Sequence, residues 1–390
     1  MEVVFWVAVF LLVYPYVLYP VMLWAGARLF PRPSAAGTAA DDAALPALTV
    51  IVSAHNEAAV IEEKIRTTLA CDYPAERLGI LVVSDASTDE TNAIVEGMAE
   101  RDPRVRLLAI AEHHGKTAGL NRAMESIDTD IVVFTDANAV FAGDALRRLA
   151  ACFADPAVGY AVGAALYRQE GGSTAGENEG LYWRYELALK KLESDFDSVV
   201  GGDGAIYAVR RDLYRTLAPE DINDFVNPLQ VIGAGYRGVF VPEARAYEEP
   251  ANDYGKEFRR KRRIVCRSWG ALLRYYRGLA LTRRRRFLFM LVSHKVIRWF
   301  TLAWLGIAAV ANLLLVMEAE GAIYLFTLLG FLGVFGLAAV GRGKARRGEA
   351  VPAHQSIPYF FLSSNLAALL GIIDYARGNR YVTWTHVRQG

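Results

Sequence analysis

The segment DIVVFTDANAVF, Asp130–Phe141, places a carboxylate, Asp136, and an amide, Asn138, two residues apart where an apolar, β-branched run ends. A lone Asp after a strand is common as a helix N-cap or turn former. Here it has company, because Asp85, Lys116 and Asn121 stand where other strands end or helices open. Oxygen ligands at a strand exit suit Mg²⁺ or Mn²⁺, which take one or two carboxylates and complete their shell with substrate phosphates. The arrangement therefore predicts a metal bridging a diphosphate. No Walker-type phosphate loop occurs and no G-x-G-x-x-G follows the first strand, so ordinary ATPases and dinucleotide dehydrogenases lose support.

These residues need a scaffold that brings them to one edge. LTVIVSAHNE reads as a strand ending in polar residues, and AAVIEEKIRTTLAC after it carries helical spacing. The unit recurs at LGILVVSDAS, RVRLLAIAEHHGK and TDIVVFTDANA, each followed by a helical stretch. Four such alternations predict an α/β fold with a mixed, mostly parallel sheet. Ligands of such sheets bind beyond the carboxyl ends of the strands, where AHNE, SDASTDE, HHGK and TDAN all fall. Arg168–Gly180, RQEGGSTAGENEG, reads as a mobile loop, followed by a helix from Leu181, a strand pair around VVGGDGAIYAVRR and a second acidic cluster, PEDINDF.

The ends of the 390-residue chain are different. Val3 to Ala27 carries no charge, and about 20 helical residues cross a bilayer, so this run predicts a transmembrane helix rather than a cleaved signal. Further spans are expected near Thr301–Met317 and Ile323–Val340, while Ile357–Ile373, which holds Ser363, Ser364 and Asn365, reads as re-entrant or interfacial. The basic flanks at Arg28, Arg32, Arg283–Arg286 and GRGKARRG put residues 31–286 in the cytoplasm by the positive-inside rule. The basic tail with Arg377, Arg380 and Arg388 belongs there too, yet three full crossings after the central domain would place it outside. His294, Lys295 and Arg298 read as snorkelling side chains on an apolar helix.

A net charge of +1 gives no footing for a nucleic-acid partner, and the segregated basic clusters point to membrane lipids. Cys71, Cys152 and Cys266 lack metal or disulfide spacing. The expected division is a membrane helix at 1–30, a linker at 31–46, a folded domain at 47–253, basic amphipathic helices at 254–299, a membrane region at 300–374 and a tail at 375–390. The tail reads as able to dock on the cytoplasmic face of the site.

In order, SAHNE, VVSDASTDET, HGKTAGLNRAM, FTDANA, VVGGDGAIYAVRR and IND…GYRGVFVPEA resemble the membrane-anchored family 2 glycosyltransferases, and the chain looks similar to polysaccharide synthases of the hyaluronan, cellulose and chitin type. The resemblance covers roughly Leu48 to Gly278 and implies an A-type nucleotide-sugar-binding fold. It implies that Glu57 and Asp85 hold a uridine-type base and ribose, that Lys116 and Asn121 serve the donor, and that Asp136 binds the metal. Asn138 stands where many members carry a second Asp. The general base falls on Asp224, with Asn223 in place of a usual Glu; Asp221 competes, and a helix N-cap is the structural alternative for Asp224. Gly202, Asp203 and Gly204 would floor the acceptor side, with Asp203 equally suited to a turn.

Tyr254–Gly278 reads either as an amphipathic helix on the inner leaflet or as the source of a diphosphate clamp through Arg260 or Arg263. RKRRI stands where processive synthases often carry Q-x-x-R-W. The resemblance implies an inverting, Mg²⁺- or Mn²⁺-dependent transfer from a UDP-type nucleotide-sugar donor to a glycan or lipid-linked acceptor at a bacterial inner membrane. The alternatives are a polyprenyl-phosphate monosaccharide transferase and a non-catalytic nucleotide-sugar-binding subunit.

Overall fold

The computed structural model describes residues 1–32, 42–167, 174–249, 254–281 and 284–382, with the side chains of 174–182 and of Leu281 left out of that description. Eight strands form one sheet among the described residues: β1 (Leu48–Ala54), β2 (Leu78–Asp85), β3 (Val105–Ile110), β4 (Ile131–Asp136), β5 (Val140–Phe141), β6 (Val158–Tyr167), β7 (Tyr207–Arg210) and β8 (Arg237–Glu248). Their spatial order is β3-β2-β1-β4-β7-β6-β8-β5. The first four are parallel, as their strand–helix alternation requires. Every residue of β1 is buried, because helices cover both faces and leave no solvent side to alternate toward.

Register does the positioning. Ser53 lies opposite Asp136, and Ala54 opposite Ser84, so β1, β2 and β4 release their polar ends at one edge. Beyond β4 the sheet turns antiparallel through β7 and β6, then parallel again between β6 and β8. VVGG is not a strand: only Tyr207–Arg210 pairs, and Gly201–Gly204 is a loop at the sheet edge. The expected Arg168–Gly180 loop lies in part within a helix, Thr174–Phe196, and its residues 168–173 lie outside the described residues.

β6 and β8 approach so closely at Gly238 that a Cβ there would lie 1.8 Å from the Tyr160 ring. Tyr160 is fully buried and donates its hydroxyl to the Val199 carbonyl, so the ring has nowhere to go. Gly238→Ala should cost about 3 kcal/mol, the upper end of overpacking effects, read as a lowered denaturation midpoint in detergent. A midpoint within error of the parent would mean that the two strands separate more freely than this packing allows.

Among the described residues, three helices are long and apolar enough to cross a membrane: Glu2–Leu29, Ala322–Arg346 and Ala353–Ala376. Arg285–Trp299 and Thr301–Met317 form a fourth, bent by 59°. The N-terminal helix widens to a π-helical turn at Tyr14–Leu18, around Pro15. The last helix is continuous, and it runs alongside the basic helix Tyr254–Leu281. The Tyr254 and Tyr359 rings lie 5.0 Å apart, Lys261 Nζ donates to Ser364 Oγ at 3.0 Å, and Arg262 pairs with Asp374 at 2.5 Å. Both of its ends therefore stay beside one helix on the domain side. All three cysteines are free and buried.

Candidate functional site

A cavity of about 820 Å³ opens beyond the strand ends and runs from β4 to the membrane helices. At its sheet end, Asp136 Oδ1 accepts from Lys116 Nζ at 2.5 Å. Lys116 opens a helix after Gly115, whose φ of +85° is left-handed and suits glycine. Asp85 fixes that turn: its carboxylate accepts from the backbone N–H groups of His114 at 3.0 Å and Gly115 at 2.8 Å. His113 Nδ1 lies 2.9 Å from the same carboxylate, and the His113 ring stacks on His55 at 4.6 Å. Glu57 is buried nearby, with its N–H donated to Thr91 Oγ1 at 2.9 Å. Neither Glu57 nor Asp85 lines the large cavity; both shape the loops beside it.

The pair that opened the sequence reading separates. Asp136 faces the cavity, whereas Asn138 lines a separate pocket of about 50 Å³ with Glu63, Tyr247 and Glu248. Asn121 also turns away. Its Nδ2 donates to Leu217 O at 2.9 Å, and its Oδ1 accepts from Tyr214 OH and Leu217 N, so it pins the loop that leads to Asp221.

Gly201–Gly204 threads between carboxylates. A Cβ at Gly202 would lie 2.8 Å from the Asp224 carbonyl oxygen, and one at Gly204 3.2 Å from Asp136 Oδ2 and 3.8 Å from Asp224 Oδ2. The loop thus brings Asp136 and Asp224 within 4 Å of one point at Gly204. Asp203 is a turn residue and an ion-pair partner at once, accepting from Ala205 N at 3.2 Å and from Lys190 Nζ at 2.8 Å.

Asp224 and Asp221 part in the same way. Asp224 is in the first turn of the helix Asn223–Gly233, makes no capping bond, and faces the cavity. Burial raises its carboxyl pKa above the usual range, with Lys116 opposing and Asp203 and Asp136 adding to the rise. Asp221 is fully buried away from the cavity, paired with Arg274 and accepting from Ala218 N at 2.9 Å. Asn223 donates to Tyr207 OH at 2.6 Å, beside Asn227.

Arg260 and Arg263 both line the cavity, Arg260 with its Nε on Glu257 at 2.7 Å. Burial and the neighbouring Arg260 lower the pKa of Arg263. Arg267, one helical turn further, joins them, with Nη2 on Thr117 Oγ1 at 3.0 Å and its pKa pushed down by burial to about 10. The i, i+4 spacing to Arg263 could have revealed it.

Glu248, at the end of β8, had no local signal. It lines both cavities, and burial, with Asp136 and Asp203 adding, pushes its pKa up to about 7. Lys64 was missed as well. From a fully buried site its Nζ donates to Thr135 Oγ1 at 3.0 Å and Ala139 O at 2.5 Å, while Thr135 Oγ1 donates to Ala205 O at 2.7 Å. These bonds tie the Asp136 turn to the glycine loop, although burial pushes the ammonium's pKa down to about 7.

His294, Lys295 and Arg298 do not snorkel toward lipid. They line the inner end of the cavity, where Arg298 Nη1 meets Glu186 Oε1 at 2.5 Å and His294 sits between Glu193 at 2.7 Å and Glu186 at 3.2 Å. Val382 reaches the cavity from the C-terminal segment, while residues 383–390, Trp384 included, lie outside the described residues.

Residues 49–217 match the family Glycosyl transferase family 2. The chain is 34% identical over 116 residues to the beta-monoglucosyldiacylglycerol synthase of Synechocystis sp., covering 29% of this chain and 24% of that protein. It is 28% identical over 233 residues to an N-acetylglucosaminyltransferase of Rhizobium meliloti, covering 56% and 54%. The chain thus spans about a quarter to a half of the length of these curated relatives. The solved mannosyltransferase PcManGT from Pyrobaculum calidifontis, in complex with GDP-Man and Mn²⁺, superposes with a TM-score of 0.66 at 24% identity, over 94% of this chain and 99% of that one, and so shares the fold. Sequence match and fold agree, and the domain built on residues 49–217 belongs to glycosyltransferase family 2.

Proposed function

We propose that the chain is a membrane-bound, inverting glycosyltransferase that moves one sugar from a nucleotide sugar, of the UDP type, to a hydroxyl of a glycan or lipid-linked acceptor in polysaccharide synthesis. The observation that carries this is the pair Asp136 and Asp224, both beside Gly204 in one cavity, with Lys116 on the first. Asp224 takes the acceptor's hydroxyl proton. The oxygen then bonds to the anomeric carbon from the face opposite the leaving group, and the bond from that carbon to the diphosphate breaks. Lys116, Arg263 and Arg267, with Arg260 beside them, receive the charge that develops on the diphosphate. Glu57 and Asp85 hold the loops against which the base and ribose rest.

The donor set fits a Mg²⁺ or Mn²⁺ ion completed by substrate phosphates rather than a closed protein cage. Among the described residues no three His, Cys, Asp or Glu side chains converge on one point, whereas Asp136 and Glu248 line one cavity. Asp136 would hold the ion, which when bound neutralises the leaving diphosphate. Asn138, which lines the separate pocket, stands outside this donor set.

We place the catalytic domain at 47–253, in the cytoplasm of an inner membrane. Because the helix Ala353–Ala376 lies along the basic helix, only the N-terminal helix, the bent pair and Ala322–Arg346 need cross. Three crossings return the basic tail to the cytoplasm, which removes the conflict in the charge pattern.

The test is nucleoside diphosphate release from a panel of nucleotide sugars by purified protein in lipid, with Mg²⁺, Mn²⁺ or EDTA. Release from one donor, abolished by EDTA, is the expected result. No release with any donor, with membrane lipids supplied as acceptors, would leave a nucleotide-sugar-binding subunit instead.

A further inference from the structure

After Arg285 and Arg286, the helix Arg285–Trp299 is apolar except at Ser293, His294, Lys295 and Arg298. Regular winding over this stretch gives way to a π-helical turn, Val292–Val296. It abuts the π-helical turn of the N-terminal helix, where Tyr14 OH and Ser293 Oγ are 2.8 Å apart. An inserted π turn re-aims the side chains that follow it and recurs at functional sites. Here it turns three basic groups inward, onto the cavity wall.

Two of the three are neutralised in place. Arg298 pairs with Glu186, and His294 with Glu193 and Glu186; the adjacent Lys190 pairs with Asp203. Lys295 is different. Among the described residues no carboxylate lies within 4.0 Å of its ammonium, and its recorded contact is His294 Nε2 at 3.4 Å. Glu186 and Glu193 act on this ammonium only from beyond ion-pair distance, so an anion entering the cavity can meet it directly. The diphosphate of the donor has its own cations, Lys116, Arg263 and Arg267, at the sheet end. Lys295 therefore awaits a second anion.

The walls beside Lys295 state what carries that anion. Ile357, Phe360 and Phe361 line the cavity from the helix Ala353–Ala376, and Ile357 is 45% exposed on the outer side of the protein. Tyr16 closes the opposite wall, with its hydroxyl on Thr301 Oγ1 and Asn365 Oδ1 and the Arg298 guanidinium 5.2 Å over its ring. A charged floor with an apolar exit toward membrane helices matches an amphiphile entered head first.

We propose that the membrane-side end of the cavity is a headgroup subsite in which Lys295, backed by Arg298 and Lys190, holds the phosphate of a lipid-anchored acceptor whose hydrocarbon chain leaves past Ile357 and Phe361. Naming the lipid an acceptor rests on the transferase reading; its binding does not.

The full chain in maltoside micelles, which carry no phosphate, is titrated with a long-chain polyprenyl monophosphate, the matching polyprenol and inorganic phosphate. Quenching of tryptophan fluorescence reports occupancy, because Trp183 and Trp299 line the cavity. The lipid phosphate should bind saturably and about tenfold or more tighter than either control, the range of a hydrogen bond to a charged group. Lys295→Met should weaken it by a similar factor and Lys295→Arg should restore it. Polyprenol binding equally well would reduce the subsite to an apolar groove, and inorganic phosphate binding equally well would make it a free-anion site; either overturns the proposal, as does an unchanged Lys295→Met.

If Lys295→Met fails to fold, the three probes on the unaltered chain still decide. Nucleotide-sugar binding by the unaltered chain separates the two readings. Donor binding without lipid phosphate binding removes the subsite alone, and lipid phosphate binding without donor binding removes the transferase alone.

Discussion

Asp224→Asn should lower nucleoside diphosphate release by about 10²–10⁴-fold, the span of general acid–base catalysis, while donor binding persists. The substitution keeps shape and removes the proton acceptor on the cavity wall. Burial raises the Asp224 pKa, so the acid limb of the parent's rate profile should sit above the ordinary aspartate value of about 3.9, with the rate rising as Asp224 ionises. The same shift fixes the sign for stability. A carboxyl whose folded pKa is raised supports the fold below its unfolded pKa, and that support is lost as pH rises through the folded value. The uncharged Asn escapes this loss, so at neutral pH the variant should melt no lower than the parent.

Asp221→Asn is the contrast. It removes the charge that the fully buried Asp221 presents to Arg274, which keeps Glu220, and should cost about 1–3 kcal/mol of stability. Parent-like turnover in Asp224→Asn would move the base elsewhere, and a collapsed fold in that variant would make the residue structural.

Asp136→Ala should cost about 10³-fold in turnover, as expected when several kcal/mol of charge stabilisation is lost. Its remaining turnover should no longer respond to EDTA. Asp136 is both the counter-ion of Lys116 and a cause of the raised pKa of Glu248. Its removal frees Lys116 and, because Asp136 also helps to raise the Asp224 pKa, lets that base ionise at lower pH, so the variant's residual rate profile should shift toward acid. Metal-stimulated turnover surviving in Asp136→Ala would place the ion on Glu248 or on the Asn138 side instead.

The first four strands and their exits were legible because parallel strands buried on both faces read as apolar runs ending in polar clusters. The meeting of Lys116 with Asp136 follows from that edge. Asn121 was misplaced for a reason available in the sequence: five residues past Lys116 is about 140° around a helix of 3.6 residues per turn, so the two cannot share a face. Asn138 was harder. Alternation stops at the strand end, and the turn after Asp136 sends the amide behind the sheet edge. Glu248 arrives from a strand more than a hundred residues on, through the β6–β8 pairing, which no local pattern encodes. The inward turn of His294 to Arg298 goes with a π-helical turn that abuts the N-terminal helix, a contact that no local pattern encodes, so composition alone favours snorkelling.

The cavity has a mixed ancestry. Lys116 and Asp136 come from the segment that matches the family, whereas Asp224, Arg263, Lys295 and Phe361 come from beyond residue 217, and Tyr16 precedes the segment altogether. The cations proposed for the donor diphosphate are thus split, with Lys116 inside the matched segment and Arg263 and Arg267 on the helix beyond it. A segment excised at residues 49–217 would therefore carry a cavity with several of its walls missing.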